Sequence, residues 1–236
     1  MPQSTRRPPR PTKGAATSPP PRWRRRPELR PAQILDAALV EFGENGLGRT
    51  RLEDIARRAG VAKGTIYLYF PTKDDLFRAM VRHTVGRHID SFETRAAAIH
   101  HGGAAQQLHE YVTEVWEVVR GPVFPILHRL TTGELHDFPE LMRFFMEETA
   151  TRALAATAAI VRRGVAKREF RRVDPDAAAR MIHAVLIKHA VWCAHRAQVP
   201  FVARTTDAQL LREMLDFIDH ALRPTPHARP RRRKTA

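Results

Sequence analysis

Between residues 63 and 73 the sequence gathers two amines, two threonine hydroxyls and two phenols within a few turns of chain. If this stretch is helical, Ile66 and Phe70 stand four apart on one face and can dock inward. Lys63, Thr65 and Tyr67 then fall on the other face, with Tyr69 near its edge. Amines, hydroxyls and phenols in that arrangement suit phosphate oxygens and the edges of bases in a groove. Gly64 leaves room for a close approach of backbone. Lys73 opens the next helix, where a cation beside a positive helix end favours a phosphate.

Other chemistries find less support. The twelve histidines form no HExxH-like pattern. His100 and His101 are adjacent, and His183, His189 and His195 recur at six, which puts them on different helix faces. They read as structural or solvated, and no metal site is expected. Cys193 beside Trp192 reads as core or dimer interface, since no neighbour would clearly lower its pKa. No nucleophile paired with a base is evident, so no catalytic residue is assigned.

The residues at 63–73 need elements to position them. Leu52, Ile55, Ala56 and Ala59 follow helical spacing and end at Gly60, which can take the left-handed conformation a turn needs. Gly60-Val61-Ala62 has the length of a helix-turn-helix turn. Thr50 with Glu53 reads as a capping box opening the first of these helices. Thr72 with Asp75 repeats the device after Pro71 and opens a helix through Leu76, Phe77, Met80 and Val81. Upstream, Pro31 starts a helix carrying Ile34, Leu35, Ala38, Leu39 and Phe42 on one face, closed by Gly43. Arg57 and Arg58 read as a solvated face.

On these residues the segment resembles the DNA-binding region of TetR/AcrR-family transcriptional regulators. The matching pieces are Thr50, Asp54-Ile55-Ala56, Ala59-Gly60-Val61, Gly64-Thr65-Ile66-Tyr67, Tyr69-Phe70 and Lys73-Asp74-Asp75-Leu76-Phe77. The match covers residues 31–80. The resemblance implies that Lys63, Gly64, Thr65 and Tyr67 enter the major groove and that Tyr69 and Lys73 hold phosphates. Thr50 would cap the support helix and touch the DNA backbone, with Arg51 beside it. Arg51 departs from the family, which often has a small hydroxyl residue there, so the cap is Thr50 or shifts by one position. The resemblance further implies a homodimer on double-stranded DNA, probing a palindrome with two helix-turn-helix units. It also implies a small, largely apolar effector that alters DNA binding by shifting the helix that begins near Asp74, and no other cofactor. The last two long helices would form the dimer contact, with Ala178, Met181, Ile182, Val185 and His189 as one stripe.

The rest of the chain fits an all-α architecture of roughly nine helices. Further helices are expected at about 104–120, 123–132, 139–168, 175–198 and 206–222, with Asp174-Pro175 as a clear start and Gly164 as a point of interruption. The expected domains are a three-helix DNA-binding unit at 31–79 and a helical ligand-binding and dimerisation unit at 80–223. Phe138, Leu141, Met142, Phe144, Phe145 and Met146 read equally well as cavity lining or core, as do Trp116, Phe124 and His128.

The formal net charge is +15 over 236 residues, but its placement matters more than its size. Thirteen of the fifteen charges lie in residues 1–30 and 224–236. These ends are rich in Pro and Arg and lack the aliphatics for a core, so they read as disordered basic tails with weak, salt-screened attraction to DNA. Trp23 among Arg22 and Arg24 to Arg26 belongs to that reading. No apolar run reaches the 18 or so residues of a membrane span. A single cysteine excludes an internal disulfide and points to a reducing compartment, and the resemblance implies the bacterial cytoplasm. Two rivals remain: a nonspecific nucleic-acid coating protein driven by the tails, and a helical-bundle enzyme.

Overall fold

The structure is a computed structural model that describes residues 30–98 and 101–224. The basic tails, apart from Arg30 and Pro224, lie outside the described residues, as do Trp23 and His100. Among the described residues there are helices and no strands. The helices are α1 (Arg30–Asn45), α2 (Leu52–Arg58), α3 (Lys63–Tyr69), α4 (Lys73–Val81), α5 (Arg87–Ala97) and α6 (Gly103–Val119). They continue as α7 (Val123–Gly133), α8 (Pro139–Met146), α9 (Arg152–Ala166), α10 (Pro175–Ala194), α11 (Pro200–Ala203) and α12 (Asp207–Leu222). A π turn at Arg82–Gly86 joins α4 to α5, and another at Glu147–Thr151 joins α8 to α9. Counted through those turns the described residues make ten continuous helices, close to the nine expected.

Two glycines have roles that spacing alone misassigned. Gly43 does not close α1, which runs on to Asn45. A Cβ on Gly43 would stand 3.1 Å from Cγ2 of Ile126, so its small size serves the close approach of α7. The chain reverses instead at Gly46, whose φ of +80° is left-handed and whose N–H donates to the Phe42 carbonyl at 3.0 Å. Gly164 likewise does not interrupt α9. The Phe170 ring sits against it, with Cδ2 only 2.1 Å from where a Cβ would be. The break in the long 139–168 segment is the π turn at Glu147–Thr151.

The apolar faces pack into two cores. One joins α1 to α4 through Ile34, Phe42, Ile55, Ile66 and Phe77, and it also takes in Leu127, Leu130, Leu141 and Phe144. Thus α7 and α8 close the core of the N-terminal unit, and no seam in packing falls at residue 79. The other core centres on Phe92, Tyr111, Trp116, Ile160, Leu186 and Ile218. Cys193 packs beside it, half-buried, and burial pushes its thiol pKa up.

Candidate nucleic-acid interface

The turn between α2 and α3 is set by Gly60. Its φ is +67°, its N–H donates to the Arg57 carbonyl at 3.2 Å, and the Val61 N–H reaches back to the Ala56 carbonyl at 3.0 Å. These two bonds are the Schellman pattern that satisfies the last carbonyls of α2. Val61 packs against the N-terminal core, and Ile66 is fully buried in it. Glu41 of α1, buried, accepts from Arg58 Nε at 2.7 Å and from Asn45 Nδ2 at 2.7 Å. Arg58 also reaches Glu44. It therefore braces α2 on α1, whereas Arg57 is exposed as expected.

With Ile66 and Phe70 inward, α3 turns Lys63, Gly64, Tyr67 and Leu68 outward. Leu68 is 79% exposed. Its apolar side chain carries no sequence signal for a nucleic-acid contact, although its place one turn after Gly64 puts it on the same face. Thr65 and Tyr69 are only half-exposed, and Tyr69 packs against the core beside Phe70. Around Gly64 there is open space: a Cβ there would meet nothing within 4 Å. Glycine inside a helix costs roughly 0.5–1 kcal/mol relative to alanine, and no contact within the chain requires it here.

Glu53, expected as half of a capping box, does something else. Its Oε1 accepts from Lys63 Nζ at 2.9 Å and from the Tyr67 hydroxyl at 2.9 Å. The Lys63 ammonium, aided by a backbone N–H and by Tyr67, holds the Glu53 carboxyl down at about 2. Glu53 in turn raises the pKa of both Lys63 and Tyr67. The Lys63 ammonium also lies 5.9 Å from the Tyr67 ring centroid. Two outward donors are thus held side by side by one carboxylate.

Three expected roles change. Thr50 is buried, and its hydroxyl donates to the Gly46 carbonyl at 2.6 Å. It neither caps α2 nor presents its side chain outward, because α2 begins at Leu52 and its N-cap is Arg51. A capping box would need positions 51 and 54, so Thr50 and Glu53 stand one residue out of register. Arg51 is exposed and provides no side-chain cap. Lys73 donates to the carbonyls of Leu47 at 2.7 Å, Gly48 at 3.1 Å and Thr50 at 3.3 Å. An ammonium has three protons, so Lys73 ties down the loop entering α2 and has none spare for a phosphate in this arrangement. Thr72 does cap α4, accepting from the Asp75 N–H at 3.1 Å.

A cavity of about 750 Å³ lies between α5, α6, α7 and α10, and both π turns border it through Thr84, Val85, Thr149 and Ala150. It divides the residues that read equally as lining or core. Leu141, Phe144 and Trp116 are core, Phe138 and Met142 pack against core, and Phe145, Met146, Phe124 and His128 line the cavity. His183 also lines it, and its Nε2 lies 2.8 Å from the Thr157 hydroxyl. On the outer side, α10 and α12 form an open apolar groove that includes the exposed Met181 and Phe217. Ile182, read as part of the dimer stripe, is already buried within the protomer, at the floor of that groove. His189 Nδ1 lies 2.8 Å from the Val185 carbonyl, and no group of three or more metal-ligating side chains occurs among the described residues. No described helix is long and apolar enough to cross a membrane.

Known proteins match both halves of this architecture. Residues 34–80 match the family model described as bacterial regulatory proteins, tetR family. Residues 106–218 match the AefR-like transcriptional repressor, C-terminal domain. The fatty acid metabolism regulator protein of Bacillus subtilis is 43% identical over 61 residues, covering 26% of this chain and 31% of its own. The HTH-type transcriptional regulator BetI of Paraburkholderia phymatum is 31% identical over 129 residues, covering 54% and 64%. The matches therefore span less than two thirds of these curated relatives. The crystal structure of the regulator FadR from Bacillus subtilis in complex with stearoyl-CoA superimposes with a TM-score of 0.64 at 25% identity, covering 79% of this chain and 96% of that one. With family models matched in both the N-terminal and the C-terminal unit, and the helix-turn-helix geometry between α2 and α3, the chain belongs to the TetR family of bacterial regulatory proteins.

Proposed function

We propose that the chain is a sequence-specific, DNA-binding transcriptional repressor that grips a palindromic operator as a homodimer and responds to a small effector. The observation that carries this reading is the outer face of α3. Lys63, Tyr67 and Leu68 are exposed there around Gly64, which faces open space at a helix position where glycine is otherwise unfavourable. Lys63 and Tyr67 donate to phosphates or base edges after leaving Glu53, and Leu68 makes apolar contact with groove methyls. Arg51 adds a cation at the start of α2. Thr65 and Tyr69 work at the edge of this face. Lys73 and Thr50 act one step back, by fixing the loop that sets α2. The matched relatives are regulators, which supports this reading over an enzyme.

The dimer forms through α10 and α12. Their apolar groove, with Met181 and Phe217 each more than half exposed, is the surface a second copy covers. The effector enters the cavity. The π turn at Arg82–Gly86 borders that cavity and continues directly from α4, whose Leu76, Phe77 and Met80 sit in the DNA-binding core. Arg82 reaches across to Glu148 in the other π turn, Nη2 to Oε1 at 2.8 Å. Filling the cavity presses on both turns, shifts α4 and changes the separation of the two α3 helices. A bias of a few kcal/mol suffices for such a switch. The FadR complex with stearoyl-CoA supports an effector for this architecture.

A footprint of the full-length protein on the DNA flanking its own gene tests the reading. The expected result is a protected palindrome with half-sites one helical turn or more apart. Tyr67→Ala should abolish protection while sedimentation still reports a folded dimer. Equal protection by Tyr67→Ala, or protection of any sequence alike, overturns the proposal.

A further inference from the structure

The cavity lining is mostly apolar, and its charged side chains do not balance. Phe92, Phe124, Leu127, Phe145, Leu154 and Ile187 supply carbon surface. Arg87 of α5 and Arg180 of α10 also line it. Neither guanidinium makes an ion pair or hydrogen bond with any described residue. Glu117 is the acidic residue of the lining, and its carboxylate is already held by Arg120, Nε to Oε2 at 2.9 Å. The histidines of the lining add no negative charge. Burial lowers the pKa of His88 and of His128. Arg87 lowers that of His88 further while Glu114 opposes the shift, and Lys188 and His195 lower that of His128.

Resting on the effector reading above, we propose that the cavity binds an amphipathic anion, with its apolar body along the phenylalanine wall and a carboxylate or phosphate head on Arg87 and Arg180. A guanidinium offers paired donors that fit either head group. A neutral ligand of the same shape makes no charge-assisted bond to either guanidinium. A cationic ligand meets two like charges there and no free carboxylate in the lining. The volume of about 750 Å³ lies in the ordinary range for small-molecule sites and admits a long-chain body.

Four probes sharing one twelve-carbon chain separate the possibilities: dodecanoate, dodecyl phosphate, 1-dodecanol and dodecyltrimethylammonium. Each is titrated below its micellar or solubility limit into the full-length protein without DNA, and binding is read by calorimetry. At least one anion should bind about tenfold or more tightly than dodecanol, the scale of a charge-assisted hydrogen bond. The preferred anion identifies the head group. Arg87→Gln with Arg180→Gln should bring that anion to the level of dodecanol and leave dodecanol unchanged. Both positions are exposed, and an unchanged melting temperature checks that the variant is folded. Equal binding of alcohol and anions, preference for the ammonium, no binding of any probe, or an anion preference that survives both substitutions overturns the proposal. Footprinting with the bound anion is scored separately. Binding without release from DNA leaves the ligand class standing and defeats only the coupling.

Discussion

The outer face of α3 comes from seven consecutive residues, Lys63 to Tyr69. The cavity takes its walls from residues scattered between Thr84 and Ile187. A surface that must enter a groove of fixed shape has its geometry set by one short helix and one turn, so its residue types repeat at helical spacing. A cavity is defined by what several helices fail to fill, and each lining residue resembles its buried neighbours in type. Phe144 and Phe145 illustrate this: adjacent and identical, one is core and the other lines the cavity. Local geometry leaves a mark that can be read along the chain, and geometry assembled from distant segments does not.

The same contrast predicts how separable the two regions are. Phe77 is fully buried, 6.1 Å from Phe42 between ring centroids. Phe77→Ala should cost about 3–5 kcal/mol. Because Leu127 and Leu130 of α7 share that core, the loss should be felt beyond α1 to α4. Melting followed by far-UV circular dichroism and by tryptophan fluorescence should shift together, since Trp116 sits in the other core. A fluorescence transition that keeps its midpoint would make the DNA-binding unit an independent body.

A second measurement probes the cavity side alone. His183 lines the cavity, and burial takes its pKa from 6.5 down to about 4. Between those values the unfolded chain binds a proton that the native state refuses. Stability from this residue is therefore complete above about pH 6.5 and is lost as pH falls toward 4, by roughly 3 kcal/mol in all. His183→Gln should flatten that part of the acid limb in denaturant titrations at pH 7 and pH 5. Parallel losses in wild type and variant would mean that the imidazole already carries its charge in the native state.

Much of the fold was legible in the sequence, and the exceptions have physical causes. Gly60, Thr72, Ile66 and Phe70 act where spacing put them because each works within a few residues of itself. Spacing misleads at Gly43 and Gly164 because their partners, Ile126 and Phe170, are not set by local pattern. A glycine needed for close packing looks the same in sequence as one needed to end a helix. Lys73 looks like a phosphate ligand for a similar reason: nothing in the sequence reveals that three carbonyls from 47–50 converge on its ammonium. Glu53 was placed in a capping box by a register error of one residue, and its bridge to Lys63 and Tyr67 required α2 and α3 to be set side by side.

The smallest predicted effect sharpens the contrast most, because its sign differs between two measurements. Gly64 is a helical glycine whose Cβ position is empty. Gly64→Ala should therefore stabilise the folded protein by about 0.5–1 kcal/mol, through reduced freedom of the unfolded chain and no clash in the native one. If α3 lies in a groove, the added methyl occupies space meant for DNA, and operator affinity should fall even as the melting temperature rises. The opposite pattern holds for Gly164→Ala, where the Cβ would strike Phe170: stability falls and any loss of binding follows from unfolding. Measuring both variants by melting and by operator titration separates a glycine kept for an outside partner from one kept for the interior. Gly64→Ala that gains stability and keeps full operator affinity would remove the close approach at α3 from the recognition model.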